Sequence, residues 1–240
     1  MSTMSCRGSN ICGLKDKICV VIPAYNEYRR VPEFMKNVIS LMEKYPGVAV
    51  IVSDDGSIDG TVERIERHNI SDDLKILRCE HTGKWGALRS GFRKAKADYV
   101  LFLDFDFSVE CGVLDKISDF DGDILVGNRY DHPGTQVPFK RRVLSKGFSF
   151  LVSSLSGLEV KDTQCPMKLI RKTKLLSDVM LVMQETGFVG DIEFLMMAKR
   201  MGAKIEEVPV KYIYKEGAFN VMGNTKKMFF GLLRVVKRCR

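Results

Sequence analysis

Hydrophobic and polar positions follow two periods along the first half of the chain. Residues 17–22 (KICVVI) form a short β-branched run ending at Pro23, the pattern of a buried strand. From Glu27 to Tyr45, apolar side chains recur at Val31, Phe34, Met35, Val38, Ile39, Leu41 and Met42, the spacing of one helical face. Residues 48–53 (VAVIVS) repeat the strand pattern, and Asp-Asp-Gly-Ser and a helix carrying Val62 and Ile65 follow. Further strands are predicted at 75–78, 99–103 (YVLFL) and 123–126, with a basic helix over 84–97 and Trp85 as packing in the loop at its start. Strand followed by helix four times over predicts an α/β fold, a mostly parallel sheet with helices on both faces.

The second half is less regular. It reads as a basic amphipathic helix over 137–155, a helix over 190–202, an extended segment over 204–214 broken by Pro209, and a basic helix over 224–240. No linker rich in Gly, Pro or Ser and no repeat divides these elements. The expectation is a loose tail over 1–16, one domain over 17–223, and the amphipathic segment 224–240 as part of that domain.

Composition narrows the class. The chain has 240 residues, 45% hydrophobic and 28% charged, which is ample apolar material for a core and excludes a disordered chain. A membrane span needs about 20 mostly apolar residues, and the longest uncharged stretch, 147–158, is shorter and contains four serines. The net charge of +8 suits an anionic partner: a nucleic acid, a membrane surface or a phosphorylated substrate. The seven cysteines are scattered and never form a C-x-x-C pair, the usage of free thiols in a reducing compartment. With no apolar signal-peptide core in the first 16 residues, a cytoplasmic location is expected.

Candidate chemistry sits at strand ends. In open α/β sheets, ligands bind outside the carboxyl ends of the strands. The first predicted strand runs into Pro23-Ala24-Tyr25-Asn26-Glu27, the second into Asp54-Asp55-Gly56-Ser57, and the fourth into Asp104-Phe105-Asp106. Asp-x-Asp also occurs at 119/121 and 121/123, but only Asp104 and Asp106 follow directly on an apolar run. Alternate carboxylates projecting from a buried strand suit a hard divalent cation, Mg²⁺ or Mn²⁺, bound through few carboxylates plus substrate phosphates. His68, His81 and His132 are far apart and read as surface residues, and nothing beside Cys165 suggests a nucleophile.

Four ordered motifs carry a resemblance. Pro23-x-Tyr25-Asn26-Glu27, Asp54-Asp55-Gly-Ser57-x-Asp59-Gly-Thr61, Thr82-Gly83-Lys84-x-Gly86-Ala87-Leu88-Arg89-x-Gly91 and Asp104-x-Asp106 resemble those of family 2 glycosyltransferases, from about residue 17 to the end. Within the family, Gly127-Asn128-Arg129, Asp162-Thr163-Gln164-Cys165-Pro166-Met167-Lys168 and Glu207-Val208-Pro209 are similar to polyprenyl-phosphate sugar synthases, the dolichyl-phosphate glucosyl and mannosyl types nearest.

The resemblance implies a GT-A fold, Rossmann-like, and an inverting hexose transfer from a nucleotide sugar to a polyprenyl or dolichyl phosphate. UDP-glucose is favoured over GDP-mannose. It assigns Pro23, Tyr25 and Glu27 to the nucleotide pocket, Asp54 and Asp55 to the base, and Lys84 to substrate binding. Asp104 and Asp106 would hold the metal and sugar diphosphate, and Arg129 would meet a phosphate. Arg141 and Ser145 would grip the lipid phosphate. Asp162, Gln164 and Lys168 would line the sugar–acceptor side. A lipid phosphate is already an oxyanion, so its attack needs no general base. Phe105, bulkier than the small residue often found between the two aspartates, is expected to reshape the sugar pocket.

Residues 137–152 and 224–240 each set basic side chains beside apolar ones, the pattern of helices lying on an anionic membrane surface. The expectation is peripheral attachment on the cytosolic face. The rival readings are a family 2 transferase with a soluble glycan or protein acceptor, a nucleic-acid-binding module and an inactive sugar-nucleotide-binding protein. The nucleic-acid reading leaves the acidic strand ends unexplained and has no recognisable motif, so no nucleic acid is expected.

Overall fold

A computed structural model describes residues 18–68, 71–135, 139–213 and 221–239; the side chains of 116, 118, 119, 139–146 and 221–227 are outside that description. The apolar runs become strands: β1 (Ile18–Ala24), β2 (Ala49–Asp54), β3 (Leu74–Arg78), β4 (Tyr99–Phe102), β5 (Ile124–Asn128), β6 (Lys168–Arg171) and β7 (Ile205–Pro209). They form one sheet in the order β3-β2-β1-β4-β6-β5-β7. Strands β1 to β4 are parallel to one another, and β5 pairs parallel with β7. Strand β6 runs antiparallel between β4 and β5. Absent from the sequence expectation, it is only four residues long.

Seven helices accompany the strands among the described residues: α1 (Val31–Lys44), α2 (Thr61–Glu66), α3 (Lys84–Lys94), α4 (Phe139–Ser156), α5 (Lys174–Val182), α6 (Gly190–Arg200) and α7 (Val221–Cys239). Helix α1 starts four residues later than its apolar spacing suggests. A 3₁₀ turn over Tyr28–Arg30 precedes it, and Pro32 sits in its first turn, where a missing N–H costs nothing. Its predicted apolar stripe packs on the sheet through Val31, Phe34, Met35, Val38 and Leu41. Trp85 lies inside the first turn of α3 rather than in a loop, fully buried against Phe102 and Phe194.

This topology makes one rim. Because β1 to β4 are parallel, their carboxyl ends lie together. Since β6 is antiparallel to both β4 and β5, the end of β5 reaches the same rim, as does the start of β6, where Lys168 pairs in register with Phe102 and Val126. Helix α7 starts at Val221 and buries Leu232, Val235, Val236 and Cys239. None of the described helices is long and apolar enough to cross a membrane.

Candidate active site

The loops after β1 and β2 are stitched to each other by side chains accepting backbone amides. Asn26 N donates to Ser57 Oγ (2.8 Å), Glu27 N to Thr61 Oγ1 (2.8 Å) and Tyr28 N to Asp59 Oδ2 (3.0 Å). Asn26 returns a bond through its Oδ1, which accepts from Ile58 N at 3.0 Å. It does so in the left-handed region, φ 54°. Phe107, just past the Asp104-x-Asp106 segment, has φ 49°, an unusual conformation for a bulky residue.

The paired aspartates after β2 divide their work. Asp54 Oδ2 accepts from Ser57 N at 3.0 Å, while Oδ1 is buried without a hydrogen-bond partner. Asp55 is different. Its carboxylate collects the amides of Thr82 (2.9 Å) and Gly83 (2.9 and 3.2 Å), and His81 Nδ1 approaches Oδ2 to 2.9 Å. Those contacts have Asp55 shaping the loop ahead of α3. The loop has no room to spare. Gly83 sits at φ +110°, and a Cβ there would meet Thr186 O at 2.6 Å.

That loop delivers Lys84, whose Nζ lies 2.5 Å from Asp104 Oδ1. Burial works against the lysine's charge, but the carboxylates of Asp104, Asp191 and Asp106 outweigh it and hold its pKa above the ordinary range. Asp106 Oδ1 accepts from Ser108 N at 2.9 Å. Glu27 faces the same cluster. Burial raises its carboxyl, Arg30 counteracts this, and the nearby Asp106 and Asp104 charges add to the rise. Phe105 turns away from the rim. It is buried and stacked on Phe34, centroids 4.0 Å apart and planes at 8°, as part of the core.

Among the described residues, no three His, Cys, Asp or Glu side chains converge on a complete metal cage. Asp104 and Asp106 supply two carboxylates, and the Lys84 ammonium already stands against one of them as a cation would. Two carboxylates fit an ion that takes its remaining ligands from a diphosphate and water.

On the β5–β6 side, the carboxylates hold cations. Arg129 grips Asp162 by two parallel bonds of 2.7 Å, and its backbone N adds a third at 3.0 Å. Burial opposes the guanidinium's charge, and Asp162 more than restores it, raising Arg129 well above its ordinary range. Arg129 also lies over the Tyr212 ring. Glu207 Oε1 accepts the amides of Lys161 (2.9 Å) and Asp162 (3.1 Å), fixing the Asp162 segment.

Lys168 donates to Cys165 O at 2.7 Å and pairs with Asp191 Oδ1 at 2.6 Å. Asp162 is 0% and Lys168 1% exposed, each turned to a partner within the protein. Gln164 is partly exposed and has a buried Nε2 without a partner, whereas Pro23 is simply partly exposed on the rim. Burial pushes the Cys165 thiol up to about 12, so it is no nucleophile.

Asp191 was not singled out from the sequence. Its only signal is its place in the first turn of α6, after Gly190. Arg141 and Ser145 fall on α4, but their side chains lie outside the described residues, as do 214–220 and the tail 1–17. Not all the basic residues of α7 face outward. Arg238 approaches the buried Glu193 Oε1 to 2.6 Å and donates to Gln184 Oε1 at 2.7 Å, and Arg234 pairs with Glu185 at 3.2 Å. They anchor the helix to the α5–α6 loop, because Glu193 would otherwise be a buried charge with no counter-ion. Phe229, Phe230 and Leu233 remain exposed on α7, and Phe150 on α4.

Comparison with known proteins accords with this architecture. A dolichyl-phosphate beta-glucosyltransferase of Saccharomyces cerevisiae is 29% identical over 228 residues, covering 84% of this chain and 68% of the relative. The glycosyltransferase AglD of Haloferax volcanii is 28% identical over 212 residues, covering 82% of this chain and 33% of its own length. Among solved structures, glucosyl-3-phosphoglycerate synthase of Mycobacterium tuberculosis in complex with Mn²⁺, UDP and phosphoglyceric acid superposes with a TM-score of 0.66 at 18% identity, covering 95% of this chain and 83% of that one. The fold is therefore the GT-A fold. The family description "Glycosyl transferase family 2" matches residues 19–176, and the chain belongs to that family.

Proposed function

We propose that the chain transfers a hexose with inversion from a nucleotide sugar, UDP-glucose before GDP-mannose, to a polyprenyl or dolichyl phosphate. The observation that carries this reading is the pairing of the rim carboxylates. Asp104 is held by Lys84, Asp162 by Arg129 and Asp191 by Lys168, at 2.5, 2.7 and 2.6 Å. Cations set so close beside these carboxylates suit reactants that arrive as mutually repelling anions, a phosphate acceptor and a sugar diphosphate. The dolichyl-phosphate glucosyltransferases among the relatives favour a lipid phosphate, and the Mn²⁺–UDP complex of the structural neighbour favours a uridine diphosphate donor.

Asp104 and Asp106 would hold a Mg²⁺ or Mn²⁺ ion, which neutralises charge developing on the diphosphate leaving group when bound. Lys84 adds a fixed cation beside it, Arg129 meets the phosphate, and the open Asp54 Oδ1 takes an N–H of the base. Gln164 Nε2 is free to meet a sugar hydroxyl. The exposed aromatics of α7 and α4 would rest on an anionic membrane from which the acceptor enters.

The test incubates purified protein with polyprenyl phosphate, Mn²⁺ and radiolabelled UDP-glucose or GDP-mannose. Label should enter an organic-extractable, mild-acid-labile product, and Asp106→Ala or chelation should abolish it. Label appearing only in soluble or protein products would transfer support to the soluble-acceptor reading.

A further inference from the structure

The segment 183–189, between α5 and α6, is neither helix nor strand. Two neighbours take up its backbone groups instead. Its carbonyls face α3: Thr186 O accepts from Trp85 N at 2.7 Å, and Met183 O accepts from the Arg89 guanidinium. Its amides face α6: Glu193 Oε2 accepts from Gln184 N at 3.0 Å and from Glu185 N at 2.6 Å. Glu193 is 1% exposed, and its other oxygen lies 2.6 Å from Arg238 of α7. Burying a carboxylate is costly, and an apolar side chain of like volume is often tolerated as well or better. Glu193 stands apart from the rim, yet its contacts lead there.

Thr186 O brackets Lys84. It holds the amide of Trp85, the residue after, and a Cβ on Gly83, the residue before, would meet it at 2.6 Å. Trp85 is itself fully buried, with Gly190 so close that a Cβ there would meet the ring at 2.5 Å. The backbone that carries Lys84 to Asp104 is thus held on both sides. We propose that Glu193 is a positioning residue for Lys84. It fixes Glu185 N, hence Thr186 O, hence the turn from which the lysine reaches Asp104. Arg238 supplies its counter-ion, so α7 takes part in setting the diphosphate site. For its effect on donor binding the proposal rests on the nucleotide-sugar reading, to which it adds a residue outside the rim.

Calorimetric titration of the full chain with UDP and Mn²⁺, joined to urea unfolding, tests this. Residues that act on a site through a network shift its affinity roughly 2- to 30-fold, and Glu193→Ala should weaken UDP within that range. Inorganic diphosphate should weaken by the same factor, because Lys84 meets the phosphates and not the base. Glu193→Gln keeps a carbonyl oxygen for the two amides but loses the charge facing Arg238, and should cost less than alanine. It also serves as the test if Glu193→Ala does not fold. Lys84→Met supplies the decisive comparison. In that background the Glu193 substitution should weaken UDP no further, since the group it positions is gone. A second readout needs no nucleotide. Acetylation of Lys84, followed by mass spectrometry, should run several-fold faster in Glu193→Ala than in wild type, with the exposed Lys174 unchanged.

Unchanged UDP affinity with a lower urea midpoint would overturn the proposal and leave Glu193 to the fold alone. Equal losses in the wild-type and Lys84→Met backgrounds would overturn it too, as would unchanged acetylation of Lys84. A wild-type protein that binds neither UDP nor GDP overturns the nucleotide-sugar reading instead. Acetylation of Lys84 then decides the Glu193 link by itself.

Discussion

On the β1–β4 side of the rim, aspartates mostly hold backbone; on the β5–β6 side they hold cations. Asp54, Asp55 and Asp106 accept amides of Ser57, of Thr82 and Gly83, and of Ser108. Asp162 and Asp191 instead take the side chains of Arg129 and Lys168. The first arrangement fixes loops while leaving edges, such as Asp54 Oδ1, for a ligand to complete. The second neutralises mostly buried charge and holds a guanidinium at the rim. A soft, exchangeable donor half therefore faces a pre-paired half. Lys84, on Asp104, stands at their border and is sensed by Asp191 as well.

The comparison breaks most sharply at Asp162. Replacing it with alanine leaves Arg129, only 17% exposed, without a counter-charge, and losing one partner of a buried pair costs about 3–5 kcal/mol. Urea unfolding of Asp162→Ala should show that loss. Replacing both partners with apolar residues, Arg129→Met with Asp162→Leu, should return much of the stability, because apolar replacements of buried pairs are often neutral. It should not return transfer activity. If the double variant transferred sugar, the pair would serve only the fold.

Asp55 is the matching test on the other side. Asp55→Ala removes the acceptor for two loop amides, worth about 0.5–1.5 kcal/mol each. The stability loss should therefore be smaller than at Asp162. The larger effect should fall on the affinity for UDP with Mn²⁺, because Lys84 follows the freed loop directly. A variant with unaltered UDP affinity would separate the loop from the site.

The two halves also differ in how much of them can be read from the chain. Strands β1, β2 and β4 stand out because parallel strands buried on both faces become continuous apolar runs, and the ends of β2 and β4 carry the Asp-Asp-Gly-Ser and Asp-x-Asp segments. Strand β6 is four residues long and starts with Lys168, so it shows neither alternation nor an apolar run. Its charge is tolerated only because Asp191, on a distant helix, comes to meet it. The same limit applies to roles. A motif marks Asp55 and Asp162 as important, but only tertiary contacts reveal that they act on a loop and on Arg129.

The weakest perturbation asks whether burial or the cationic partner distinguishes the second half. Arg78 at the end of β3 pairs with Glu63 at 3.0 Å and Glu66 at 3.1 Å, a carboxylate–cation cluster on the first half of the sheet. Each of these side chains is more than half exposed, at 56%, 55% and 51%. Glu63 is held below its ordinary carboxyl range, its own backbone amide contributing first and Arg78 next. Water and salt screen exposed pairs so well that many contribute nothing measurable. Arg78→Ala should leave the urea midpoint and UDP affinity where they are, at low salt as at high. A midpoint shift approaching that of Asp162→Ala would mean that the ion pair itself stabilises this protein wherever it lies, and the contrast between the two halves would then rest on charge pairing rather than on burial.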